Sequence, residues 1–348
     1  MNNENPILIR NIYYMLSYAF RVLKEKTYDS VEAEGFDHIH DLFASILTNG
    51  MKKQVKQGLF KEYVDEKQDI KTLKGKLNLK ETIYHKVSNK QLLSCEFDEL
   101  SEDNLFNQII KKTIGILLKH KTVKSVRKSD LRKIMFYLVT VKDIEVNEIN
   151  WNTLKFHRHN MHYRMIINIC YLIIDGLLMS EEQGQYKLMN FLDEQKMSSL
   201  FERFVLEYYR FHHHTLSVSA PYIEWIVNEG ELDFLPVMKT DIMIKNKFKT
   251  LIIDTKFYSK SMKHRKEYDS YKLHSNNLYQ IFTYVKNEDK EQKGNVSGLL
   301  LYARTTESIA PNADFLMDGN KISVKTLDLN VSFKDIAKTL DSLVSSFY

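Results

Sequence analysis

The strongest constraint on how this chain folds is a pair of β-rich runs, residues 240–245 and 250–258, separated by the polar connection 246–249. Two such runs with a short turn between them read as an antiparallel hairpin. With the turn centred between Lys247 and Phe248, Asp241 falls directly opposite Asp254. Side chains alternate along a strand, so Asp254 and Lys256 share one face, and Asp241 lies on that face too. Directly opposed residues have Cβ atoms roughly 4.5–5.5 Å apart. A slip of one residue in the pairing would turn Asp241 to the other face, so the register carries the whole reading.

Two facing carboxylates repel, and a sheet gains nothing from them unless a cation lies between. Mg²⁺ takes hard oxygen ligands, commonly one or two carboxylates, and completes its shell with water and phosphate oxygens. A cation there would polarise a phosphate and acidify a water, while Lys256 would stabilise developing charge. This is the minimum equipment for hydrolysing a phosphodiester. The same residues also fit a plainer reading, in which the acids end their strands or form surface ion pairs. Spacing alone leaves both readings open.

The rest of the chain sets the frame. Its 348 residues suffice for two domains with buried cores, and the 43% hydrophobic, 27% charged composition is that of a globular protein. A net charge of +5 permits phosphate contact without requiring it. Cys95 and Cys170 lie far apart with no CxxC spacing, which argues against structural zinc and for a reducing compartment. The apolar N-terminal stretch, residues 6–20, is broken by Arg10, Asn11 and Ser17, so neither a signal peptide nor a membrane span is expected. A cytoplasmic protein follows from these two points.

Helical spacing appears at 12, 15, 16, 19, 20 and 23, again from Ser101 as N-cap through 118, and about 129–139 and 160–178. Residues 51–93 mix short β-like pieces with basic turns. The polar segment 180–185 is the boundary candidate, giving domains 1–185 and 186–348. After it come a helix bearing Met197, Leu200, Phe201, Phe204, Val205 and Tyr208, the hairpin, a helix about 273–286 and a strand at 297–302. The expected architecture is an α+β N-terminal domain followed by an α/β domain.

Asp241 with Asp254-Thr255-Lys256 resembles the motif of PD-(D/E)xK nucleases, with Asp in a place more often held by Glu. The resemblance implies a restriction-endonuclease-like fold for residues 186–348. It also implies an active-site role for Gln280, on the downstream helix, and a supporting metal or water contact for Glu202, on the upstream one. Residues 9–19, Lys74-Gly75-Lys76-Leu77, residues 97–104 and residues 274–280 are similar to segments of McrC, the nuclease subunit of McrBC modification-dependent restriction systems. The likeness runs in order over nearly the whole chain.

The McrC resemblance implies a Mg²⁺-dependent endonuclease that cuts double-stranded DNA when assembled on a McrB-like AAA+ GTPase hexamer, whose GTPase it stimulates. Residues 1–185 would contact the ring. Lys74, Gly75 and Lys76 are the candidate contact, or else a basic surface turn. Double-strand cutting requires two centres and hence a dimer of nuclease domains. The chain has no G-x-x-x-x-G-K-[ST] and is not itself a P-loop NTPase. Some McrC-like chains serve multi-subunit enzymes that cut unmodified sites, and an adaptor that activates the ring without cutting is a further alternative. Lys260, Lys263, Arg265 and Lys266 are candidate DNA-phosphate contacts. His212-His213-His214 reads as a loop rather than a metal site, because three successive side chains diverge.

Overall fold

The computed structural model describes residues 9–20, 36, 38–182, 194–257, 262–265, 270–304 and 310–348. The chain divides into a middle unit, Thr27–Glu182, and a terminal unit, Met1–Lys26 with Gln183–Tyr348. Among the described residues no helix is long and apolar enough to cross a membrane.

Helix α1 (Ile9–Ala19) buries Ile12, Met15, Leu16 and Ala19 on the expected helical spacing. Its partners lie in the terminal unit. Asn11 donates from Nδ2 to the carbonyls of Leu329 and Val331, both at 2.8 Å, and Tyr14 stacks on Phe333 with ring centroids 4.1 Å apart. Residues 1–26 therefore group with residues 183–348, whereas the sequence alone places 1–185 together. Periodicity shows that a face must be buried and is silent about what buries it.

The middle unit is α+β. Helix α2 (Ile39–Gln57) precedes β1 (Glu62–Ile70), β2 (Lys76–Leu77), α3 (Leu79–Val87) and β3 (Leu93–Ser101), and the strands form an antiparallel sheet in the order β1-β3-β2. Helices α4 (Leu105–Lys119), α5 (Ser125–Met135) and α6 (Tyr163–Glu182) complete it. The cap of α4 is Asn104, whose Oδ1 accepts from the Asn107 amide at 3.2 Å, not the expected Ser101. Asn104 also donates to the Phe60 carbonyl at 2.8 Å, a tertiary bond that spacing could not announce.

In the terminal unit, α7 (Glu194–His212) and β4 (Ser217–Ser219) lead through the small pair β5 (Tyr222–Ile223) and β6 (Met238–Lys239) to the hairpin β7 (Ile242–Lys245) and β8 (Thr250–Lys256). The pair β9 (Met262–Arg265) and β10 (Ser270–Leu273) follows. Next come α8 (Ser275–Glu288), β11 (Val296–Ala303), β12 (Ala313–Met317), β13 (Asn320–Leu327) and α9 (Phe333–Ser345). Six strands make a mixed sheet ordered β12-β13-β11-β8-β7-β4, parallel along β13-β11-β8 and antiparallel elsewhere. Central strands read as unbroken apolar runs because both faces are covered. Leu251, Ile252 and Ile253 are accordingly fully buried. Ile281 and Val285 of α8 pack with Ile252, Leu300, Ile322 and Val324. A Cβ at Gly298 would lie within 2.9 Å of Ile281, Ile322 and Val285 side chains, so glycine there is what lets α8 seat on the sheet.

Candidate active site

The hairpin has the expected register: Ile242 pairs with Ile253 and Lys245 with Thr250. The ladder stops at Ile242, where the chain bends at Asp241. Instead of continuing the ladder, the Asp241 side chain takes over its donors. Oδ2 accepts from the Thr255 backbone N–H and from the Thr255 hydroxyl, both at 2.8 Å. Its Oδ1 carries no hydrogen bond among the described residues. Thr255, which the sequence reading passed over as the spacer of the D-x-K element, is thus what orients the first acid.

Asp254 sits on β8 at 1% exposure, and neither carboxylate oxygen receives a bond from the backbone or from a neutral side chain. The Lys256 ammonium lies 2.8 Å from Oδ2 and pairs with it. Lys256 also donates to Oε1 of Gln280 at 3.2 Å, and Gln280 donates from Nε2 to the Tyr284 hydroxyl at 3.1 Å. Gln280 and Tyr284 stand one turn apart on α8, which the i, i+4 spacing requires for such a bond. The helix therefore holds the lysine from one side while the strand's own aspartate holds it from the other.

Glu202 projects from α7 into the same electrostatic neighbourhood. Burial pushes its carboxyl up to about 7, and the Asp241 charge adds to the rise. Burial likewise raises Asp254 to about 7, against the pull of Lys256, with Asp241 and Glu202 contributing repulsion. Three acids and one lysine are thus brought together by α7, β7 and β8, with α8 fixing the lysine. Displaced values of this kind gather where a site needs charge that water is not present to stabilise.

A buried carboxylate paired with one ammonium has oxygen lone pairs left over, and a cation is what would complete its partners. Hard carboxylate oxygens of this kind are the ligand set of Mg²⁺. The residues fit that ion through Asp254 and the open Oδ1 of Asp241. Among the described residues no three His, Cys, Asp or Glu side chains are arranged to hold a metal by themselves. Glu202 stands near these two carboxylates: the Asp241 charge acts on it, and its own acts on Asp254.

Other expected residues lie elsewhere. Lys260 and Lys266 fall outside the described residues. Lys263 and Arg265 lie on β9, across from Lys272 and Ser270 of β10. In the middle unit Lys74 rests over the Phe97 ring at 3.7 Å and pairs with Glu99 at 3.1 Å. Gly75 turns with φ 67°, and a Cβ there would meet the Glu96 carbonyl at 2.4 Å. Lys76 is exposed on β2 opposite Glu96. The histidine run is not a loop throughout: His212 ends α7 and meets the Tyr18 hydroxyl at 2.7 Å, and His213 meets Asp341 at 3.0 Å. Contacts with α1 and α9 fix these rings, which local sequence cannot show.

A family model described as McrBC 5-methylcytosine restriction system component matches residues 2–303. A relative from Escherichia coli (strain K12), the Type IV methyl-directed restriction enzyme EcoKMcrBC, is 28% identical over 342 residues, covering 97% of this chain and 97% of the relative. A chain in the refined half-complex from a tetradecameric assembly of Thermococcus gammatolerans McrB AAA+ hexamers with bound McrC superposes with a TM-score of 0.57. That alignment has 18% identity and covers 98% of this chain and 76% of the other, a likeness of fold.

Proposed function

The chain belongs to the family of McrBC 5-methylcytosine restriction system components, and on that premise we propose that its terminal unit is a PD-(D/E)xK-type endonuclease centre hydrolysing DNA phosphodiester bonds. The observation that carries this reading is the buried Asp254 carboxylate, raised by desolvation, paired with Lys256 and set beside Asp241 and Glu202. Asp254 and Asp241 would hold Mg²⁺. When bound, that ion supplies Lewis-acid polarisation of the phosphate and makes a nearby water more acidic.

The chain's own groups do the remainder. Lys256, held between Asp254 and Gln280, places a fixed positive charge where negative charge grows on the phosphate oxygens. Tyr284 fixes Gln280, so the lysine does not have to be reorganised when charge develops. Glu202, with its carboxyl near neutrality, is poised to accept the proton of the attacking water.

The solved assembly pairs McrC with McrB AAA+ hexamers. We carry the partnership to this chain: Thr27–Glu182 contacts a McrB-like GTPase ring and stimulates it, and the terminal unit cuts double-stranded DNA as a pair of copies. The Lys74-Gly75-Lys76 turn is braced by Phe97 and Glu99. Close to it in sequence, α3 turns Leu79, Ile83, Tyr84 and Val87 outward at helical spacing, each more than half exposed. A rigid turn preceding an uncovered apolar stripe is what a protein partner would cover.

The test is cleavage of methylated and unmodified plasmid with Mg²⁺, GTP and the partner ring. Cutting should need both proteins, and Asp254→Ala should abolish it, by about 10³-fold or more, with ring binding kept. Retained cutting in Asp254→Ala would sink the assignment. Stimulated GTP hydrolysis without any cutting would make the chain an activator of the ring instead.

A further inference from the structure

Residues 119–133 hold seven basic residues against the single acid Asp130. That excess of six is larger than the +5 of the entire chain, so the positive charge of the protein is concentrated on α5 and the turn before it. Asp130 is already engaged twice, by Lys52 at 2.6 Å and Lys133 at 3.3 Å. Lys119, Lys121, Lys128 and Arg132 have no acidic partner among the described residues.

The helix arranges this charge. Leu131 and Ile134 face inward. Ser125 and Ser129 form one i, i+4 row and Lys128 with Arg132 the row beside it, with Lys128 half-buried and the other three exposed. An ordinary solvated helix intersperses acids at i, i+4 and gains a little from each pair. Here Lys124 with Lys128, and Lys128 with Arg132, are like charges at that spacing, which destabilises a helix. The turn after α5 then leaves Phe136 at 77% and Tyr137 at 58% exposure. A row of cations without acidic partners beside a row of hydroxyls, followed by uncovered aromatic rings, matches the groups that contact phosphates and sugars of DNA. An acidic protein surface would satisfy the cations but has no use for the hydroxyl row.

We propose that α5 and the turn after it form a second DNA-contact face, in the middle unit, that binds the phosphate–sugar backbone of duplex DNA regardless of base sequence. It rests on the reading that this chain handles DNA and is independent of the carboxylate centre. Its role is to grip duplex while the other unit supplies the cutting groups.

The experiment is fluorescence anisotropy of a short labelled duplex of arbitrary sequence with the full chain in EDTA, across a salt series. The paired reversal Lys128→Glu with Arg132→Glu should weaken binding by ~10-fold or more and flatten the slope of log K against log salt by about two. The same charge change at the exposed Lys80 and Lys86 of α3 should leave both quantities nearly unchanged, and thermal melting checks that both variants fold. Equal losses in the two variants would reduce the effect to bulk charge and overturn the proposal. Unchanged affinity and slope would overturn it as well. So would loss of ring association with DNA binding intact, which would make α5 a protein-docking face. With no metal present, a failure of the nuclease reading leaves this result untouched.

Discussion

Asp41 in the middle unit and Asp254 in the terminal unit are each buried to 1% exposure, and their surroundings treat them in opposite ways. Asp41, on α2, accepts from the backbone N–H of Lys124 at 2.9 Å, with the Lys124 ammonium 3.9 Å away, and so ties α2 to the start of α5. Asp254 receives no bond from the backbone or from a neutral side chain, and the Lys256 ammonium 2.8 Å away is its close partner among the described residues. A buried charge that is satisfied serves the architecture, because removing it leaves its partners stranded. A buried charge whose desolvation outweighs its ion pair subtracts from stability.

That contrast can be broken by substitution. Asp41→Ala should destabilise the protein by about 3 kcal/mol, read by urea denaturation, since it strands the Lys124 amide. Asp254→Asn should do the reverse, stabilising by about 2 kcal/mol above neutral pH. Its carboxyl is raised from 3.8 to about 7, so the folded state favours the protonated form. The wild-type contribution is therefore fully present below the unfolded value and lost as pH rises through about 7. The gain from asparagine should accordingly fade as thermal melts are taken toward about pH 4. If Asp254→Asn melts lower than wild type at high pH, the aspartate is structural after all.

Gly75→Ala sharpens the comparison from the middle unit, where strain is spent on shape and not on chemistry. The positive φ and the approach of the Glu96 carbonyl should cost about 2 kcal/mol in the same denaturation assay. An unchanged midpoint would mean the turn can open. The smallest effect expected is from Mg²⁺ on folding. Millimolar ion should raise the wild-type melting point by the equivalent of about 1 kcal/mol through mass action, with no rise in Asp254→Asn. A rise of equal size in both would place the ion elsewhere.

How much of this was legible depended on whether the signal was local. The β7–β8 register followed from a short turn and alternation, because a hairpin's pairing is settled within its own residues. The resemblance that pointed to Gln280 led to a residue the structure bonds to Lys256. The β12–β13 hairpin was missed although its turn carries a readable signal: Asp318 and Gly319 both have positive φ, the Asp-Gly pair of a type I′ turn. Helix α9 was missed too, despite Ser332 capping the Asp335 amide at 3.3 Å. Thr255 gave no signal, since its role arises only where the ladder ends and Asp241 turns to it.

The sequence by itself determined the hairpin, the placing of two acids and a lysine near its end, the amphipathic faces of the helices, and the charge run on α5. Each follows from backbone periodicity and the pairing of close neighbours along the chain. Only the tertiary structure decided that α1 joins the terminal unit through Asn11 and Tyr14, that Asp254 is buried with Lys256 beside it, and that α8 braces Lys256. Those outcomes depend on which surfaces meet at separations from 24 residues (Lys256 to Gln280) to 318 (Asn11 to Leu329), and burial and desolvation exist only once they have met.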